Sequence, residues 1–325
     1  MEEELKQHIP FNKSMKKKTA YTLFFIATII WGFAFIAQKQ ASTVPAFTVG
    51  MSRSLFASVF IFAMIPLTDK LTKNGRGFLG GKGMLDFNKR ELVGGLVLGI
   101  IVTAATGFQQ YGIADTDAGK AAFITALYVV FVPIMSTFLG KKPSLLSIIS
   151  IPIAIVGFYF LCIKVGSTIE FSDLLVLVCA IIFSCHIIAV DRFSPGCDGV
   201  RMSLVQFAVA TLLNFILAIA LEGGIDVAGI GSVLPSLLFL GVGSSGIAYT
   251  LQIVGQKEAD PTIASMILSL ESVFGVIGAA LFLGERMSGR EYLGCVIVFA
   301  AVMLAQIDLP TLKERLDKTK EKSNE

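Results

Sequence analysis

Charge is what this sequence has least of. Asp, Glu, Lys and Arg together make up 16% of its 325 residues, against roughly 25% in an ordinary soluble domain, too few to cover a water-soluble fold. Histidine is scarcer still: there are two, and His8 falls in the N-terminal tail, so a histidine-rich metal centre is excluded. The five cysteines form no disulfide framework. Cys162, Cys179, Cys185 and Cys295 sit inside apolar runs, and Cys197 sits alone in a short turn. All Lys and Arg but Arg53 fall in tails and loops, without the basic face that nucleic acid requires. No nucleophile with a paired base is legible, which argues against an enzyme. No ring of one residue type marks a channel filter. The first apolar run begins near Thr19 and belongs to a series of spans, not to a cleavable leader.

What remains is hydrophobic: 54% of the residues, with a mean hydropathy of +0.75. About 20 apolar residues cross the hydrocarbon core as a helix, and runs of that length predict ten spans. They cover 19–38, 47–67, 92–113, 118–139, 144–163, 172–190, 202–221, 233–255, 261–283 and 291–307. With the N-terminus inside, 21 of the 27 Lys and Arg fall in cytoplasmic segments, five fall outside, and Arg53 lies within a span. Both termini are therefore expected in the cytoplasm, in a multi-pass protein of the cell membrane.

Two glycine-rich stretches imitate nucleotide motifs. The run ending at Gly81 and Lys82 has Arg76 where a Walker loop needs Gly, and no Ser or Thr follows Lys82. Gly241-Val242-Gly243-Ser244-Ser245-Gly246 matches a dinucleotide fingerprint but lies inside an apolar span without a preceding strand, so it reads as close helix packing. Gly95 and Gly99 form a further small-residue contact pair. No cofactor and no metal is expected.

The halves of the chain are related copies. Phe138-Leu139-Gly140 through Ser144 aligns with Phe282-Leu283-Gly284 through Ser288. Upstream, Leu127-Tyr128-Val129 falls on Glu271-Ser272-Val273, and with a one-residue slip Gln109 falls on Gln252. Five helices per copy is an odd number, so the second copy enters the membrane from the opposite side. The expected fold is all-α and integral to the membrane: ten helices as two inverted five-helix repeats. The repeats span 19–163 and 172–307, joined by a linker at 164–171, with tails at 1–18 and 308–325. Exchanging the conformations of inverted repeats turns an inward-open cavity outward.

Ile30-Trp31-Gly32 with Lys39, Arg53, and Leu270-Glu271-Ser272-Val273-Phe274 leading to Leu283-Gly284-Glu285-Arg286 occur in an order that resembles the EamA-type ten-helix permeases of the drug/metabolite transporter superfamily. The chain departs from that family in Ser272, where Pro often follows the acid, and in Lys141, where Glu is common. The resemblance implies a secondary transporter of a small metabolite, such as an amino acid or related compound, with a multidrug exporter of the same fold as the alternative. It implies a small-molecule substrate and a lipid bilayer as partners, and leaves cargo, direction and oligomeric state open.

Glu271 is the first candidate site residue. It lies about ten residues into the ninth span, hence roughly 15 Å deep, where an ionisable group is a functional hypothesis by default. Protons are the coupling ion it would carry; against this stands a carboxyl merely hydrogen-bonded to a neighbouring helix. Tyr249 and Gln252, with Ser245 and Gln256, form a polar stripe on the eighth span. Thr103, Thr106 and Gln110 form one on the third, beside Gln109, and Ser269 lies between Ser265 and Ser272 on the ninth. These faces either line a cavity or bond helix to helix. Trp31, the only tryptophan, shares a face with Thr28, Phe35 and Gln38 and could stack on a planar or cationic substrate. Tyr128 is a lesser case of the same kind. Arg53 lies near the outer end of its span and is expected to snorkel to the headgroups, with a substrate carboxylate as its other role. His186, near the cytoplasmic end of the sixth span, is read as packing or solvent contact before proton exchange.

Overall fold

Hydrocarbon leaves the backbone no water to bond with, so a spanning segment has to pair its own N–H and C=O groups. Accordingly, every regular element among the described residues is helical. The structure, a computed structural model, describes residues 17–71, 86–141, 143–162, 170–282 and 288–305. The glycine-rich loop ending at Lys82, the linker at 164–169, Lys142 and 283–287 of the repeated motif, and most of both tails lie outside them.

The first three spans are single helices: α1 (Lys17–Gln40), α2 (Ala46–Leu71) and α3 (Lys89–Asp115). The fourth is broken into α4 (Ala118–Ala126) and α5 (Tyr128–Phe138), and α6 (Leu145–Cys162) follows. The second half begins with α7 (Phe171–Phe193) and α8 (Gly199–Glu222). A short helix, α9 (Val227–Ser232), comes next and was not expected from the sequence; Asp226 starts it by accepting the Gly229 N–H at 2.8 Å. The eighth span is composite: α10 (Leu234–Leu238), a π-helical segment Phe239–Ala248, and α11 (Tyr249–Gln256). The ninth is broken like the fourth, into α12 (Pro261–Leu268) and α13 (Glu271–Phe282), before α14 (Gly289–Ala305).

Among the described residues, eight of the ten expected spans are helices long and apolar enough to cross a membrane. The fifth and tenth coincide with shorter apolar helices, Leu145–Phe160 and Tyr292–Ala305. These pack against each other, and a Cβ on Gly157 would lie 2.8 Å from the Val298 nitrogen. Large apolar side chains such as Val59, Leu212, Ile219 and Phe299 stay exposed on the outside, as contact with lipid tails requires.

Hydrogen bonds at the two ends fix the directions of the helices. At one end, Lys39 in the last turn of α1 donates to the carbonyls of Ile113 (3.0 Å), Ala114 (2.9 Å) and Thr116 (3.1 Å). Thr116 then donates to Asp173 at 3.1 Å, in the first turn of α7, and Asp173 pairs with Lys120 at 2.5 Å. The first helix of one half thus ends where the first helix of the other begins, and the two run in opposite directions. At the opposite end, Asn88 and Glu91 cap α3 reciprocally, and Glu91 also accepts the Asp198 N–H at 2.8 Å. Asp198 caps α8 and binds Arg201 at 2.6 Å, while Arg201 reaches both carboxylate oxygens of Asp69 at 3.0 and 2.8 Å. Arg201 had been counted among the loop charges; it is wholly buried in α8. Lys257, just past α11, donates to the Cys197 carbonyl, and burial lowers its pKa.

Missing side chains bring the helices close. A Cβ on Gly95 would lie 2.5 Å from Val205, and one on Gly99 would lie 2.7 Å from the Gln206 carbonyl, so the expected pair seats α3 on α8. In the eighth span, Gly241 and Gly246 do the same against Phe56 and Phe60 of α2, at 2.5 and 2.8 Å. The glycine pattern that imitates a dinucleotide loop is a helix contact.

Candidate functional site

Both broken spans interrupt at mid-length, and the ladder tightens there. Leu127 donates to Ile124, and Leu270 donates to Ile267, both at 3.2 Å. In the ninth span the serine stripe contributes. Ser265, Ser269 and Ser272 each donate back three residues along their own helix, at 2.8, 2.7 and 2.8 Å, a pattern that bends helices. The Ile267 carbonyl at the break also accepts from Thr28 of α1 at 3.3 Å. Tyr128 and Glu271 are the first residues after the two breaks, and their side chains face each other.

Around them lies a cavity of about 40 Å³, far below the roughly 300–1,000 Å³ of small-molecule sites, so a substrate needs the walls to part. The first half contributes Trp31, Gln38, Arg53, Gln109, Thr125 and Tyr128, and the second contributes Phe183, His186, Ser244, Tyr249, Gln252 and Glu271, with apolar neighbours including Phe35 and Leu268. Neither α6 nor α14 reaches it. All of these side chains except Trp31 and Phe183 are buried.

Arg53 does not snorkel. Its side chain is 4% exposed and turns into the cavity. There Nε donates to Ser245 Oγ at 3.0 Å and Nη2 donates to Ser244 Oγ at 3.1 Å. The glycine contacts hold α2 against the π-helical segment, whose wider turn offers both neighbouring serines to one guanidinium. No carboxylate among the described residues pairs with it. Glu271 is also 4% exposed, and its carboxyl faces Tyr128 Oη; neither Oε1 nor that hydroxyl has a hydrogen-bond partner elsewhere in the protein. Buried polar atoms of this kind are rare unless something else is to satisfy them.

Of the other residues singled out from the sequence, Trp31, Gln109, Tyr249 and Gln252 line the cavity. Tyr249 is ringed by Trp31, Phe207 and His186, with ring centroids 4.8, 5.5 and 5.5 Å away. His186 is in the wall and out of solvent, at 3.1 Å from Gln206 Oε1. Two candidates are not brought in. Ser269 spends its hydroxyl on Met266, and Gln110 turns to the Gln38 carbonyl at 3.1 Å, joining α3 to α1. Gln38, Thr125, Phe183 and Ser244 line the cavity without having been singled out as binding residues; the face shared by Trp31, Phe35 and Gln38 was the available signal for the first of them. Among the described residues no cluster of His, Cys, Asp or Glu is arranged to hold a metal.

The sequence model of the EamA-like transporter family matches this chain twice, over residues 18–163 and 170–306. The chain belongs to the EamA-like transporter family. An uncharacterized transporter from Archaeoglobus fulgidus is 26% identical over 284 residues, covering 87% of this chain and 84% of its own length. An uncharacterized transporter from Methanothermobacter thermautotrophicus is 21% identical over 303 residues, covering 89% and 87%. A crystal structure at 18% identity shares the fold with a TM-score of 0.71, covering 92% of this chain and 99% of that one. An EamA-like transporter is a multi-pass membrane protein with a small-molecule substrate and no enzymatic step.

Proposed function

We propose that this EamA-like transporter is a secondary transporter that carries a small zwitterionic metabolite, of the amino-acid class, across the cytoplasmic membrane by alternating access. The observation that supports this reading is one cavity containing a guanidinium without a carboxylate partner, Arg53, and a carboxyl, Glu271, that has only the Tyr128 hydroxyl to face. A guanidinium matches a substrate carboxylate with paired hydrogen bonds, and a carboxylate matches an ammonium. Trp31, Phe183 and Tyr249 offer apolar faces to a side chain. In this reading the ten helices act as two inverted halves, 19–163 and 172–307, rocking around the site with both termini in the cytoplasm. Glu271 takes a proton when no substrate ammonium is present, which couples transport to protons.

A second reading, an exporter of lipophilic cations, draws support from the same carboxyl and aromatic walls. Arg53 weighs against it, because it sets a fixed cation in the same cavity. Reconstitution into liposomes and uptake of a panel of amino acids and organic cations separates the two. Saturable zwitterion uptake competed by other zwitterions supports the first reading; flux of cations alone supports the second, and no saturable flux of any compound defeats both.

A further inference from the structure

We propose that the groove between the first turn of α3 and the last turn of α7 binds the phosphate of an anionic phospholipid headgroup. It is lined by Lys89, Arg90, Val93, Arg192 and Phe193, three cations above an apolar floor. The two helices come together there because Gly94 has no side chain: a Cβ would lie 3.0 Å from that of Phe193 and 2.8 Å from Met202 Sδ. Arg90 Nη2 donates to the Arg192 carbonyl at 2.8 Å, which holds its guanidinium on the lip of the groove.

The carboxylates beside these cations are engaged elsewhere. Glu91 turns inward to Asn88 and the Asp198 N–H, and Asp191 pairs with Lys141 at 2.5 Å. None of the three cations has a carboxylate partner among the described residues. The groove lies at the membrane end of two spanning helices, where headgroups are found, and a basic pocket between spanning helices at that level suits an anionic lipid. Val93 and Phe193 receive the start of an acyl chain, which a free phosphate lacks. Because α3 belongs to the first half and α7 to the second, the lipid bridges the seam across which the halves move. The site does not depend on the substrate proposed above. The proposed orientation of the termini decides only which leaflet supplies the lipid.

The full-length chain in nanodiscs of phosphatidylcholine with roughly 30% phosphatidylglycerol, released and weighed by native mass spectrometry, tests this. The wild type retains phosphatidylglycerol over phosphatidylcholine by about tenfold, K89Q/R90Q/R192Q loses the preference, and K70Q, in the last turn of α2 at the same membrane end but outside the groove, keeps it. Millimolar inorganic phosphate leaves the retained lipid in place. A wild type without preference overturns the proposal whatever the variants do. So does an unchanged preference in the triple variant, an equal loss in K70Q, or displacement of the lipid by phosphate. Both leaflets of the nanodisc are alike, so an error in the assigned orientation cannot produce any of these results.

Discussion

Trp31 of α1 and Tyr249 of α11 meet edge to face, ring centroids 4.8 Å apart and planes at 64°, while the indole N–H donates to the Ser244 carbonyl at 3.3 Å. The contact joins the first helix of one half to the eighth span in the other. Any rocking of the halves either carries these two rings along together or shears them apart, and both rings face the cavity.

Trp31→Ala removes a ring pair worth about 0.5–1.5 kcal/mol beyond its buried area, plus the face that a substrate would touch. The KM for uptake into liposomes is expected to rise about tenfold, with Trp31→Phe close to wild type in amount of folded protein and intermediate in KM. Unchanged KM in Trp31→Ala would place the ring outside the substrate's path.

Arg53→Gln keeps a hydrogen-bonding side chain but removes the charge. A hydrogen bond to a charged group contributes about 1.5–3 kcal/mol, so zwitterion uptake should fall about 10- to 150-fold. Arg53→Lys restores the charge without the fork and should recover only part of it. The sharper test is discrimination. The wild type should reject the amine that lacks the carboxylate, and Arg53→Gln should lose that preference while its overall rate falls.

Glu271→Gln fixes the side chain in a neutral form of nearly the same shape. If the carboxyl carries the coupling proton, acceleration of uptake by an imposed pH gradient should vanish, while exchange of labelled for unlabelled substrate without a gradient persists at a raised KM, because the ammonium has lost its carboxylate. Full, equally pH-dependent uptake in the variant would remove the proton from the mechanism.

Run length alone made most of the helices legible, because lipid imposes a span of about 20 residues whatever the side chains are. The α1 expectation of 19–38 became Lys17–Gln40, and 172–190 became Phe171–Phe193. The breaks in the fourth and ninth spans were not legible. No Gly or Pro marks Leu127 or Ser269, and in the ninth span the tightening rests on serine hydroxyls returning to carbonyls three residues back and on Thr28, which arrives from another helix. The direction of a polar side chain was equally hidden. Neighbours on α3, Gln109 and Gln110, part company because one meets Thr125 and the other the Gln38 carbonyl. Arg53 turns inward because the serines that hold it sit on a π-helical turn packed against α2, a contact that no local spacing reveals.

Arg201 is the clearest case of a residue whose role needed coordinates, and it carries a stability prediction. It is wholly buried, holds Asp69 of α2 through both carboxylate oxygens at 3.0 and 2.8 Å, and holds Asp198 at the start of its own helix at 2.6 Å. Arg201→Met leaves two buried carboxylates without this cation and should cost about 3–5 kcal/mol, read as a large fall in the thermal unfolding midpoint of the detergent-purified protein. Replacing the whole set, with Asp69→Asn and Asp198→Asn added to Arg201→Met, removes the stranded charges as well and should recover most of that loss. The cluster lines no part of the cavity, so the triple variant should transport with a near-normal KM. A triple variant no more stable than Arg201→Met would mean that the helices at this end depend on the ion pairs themselves, and not merely on the absence of unpaired charge.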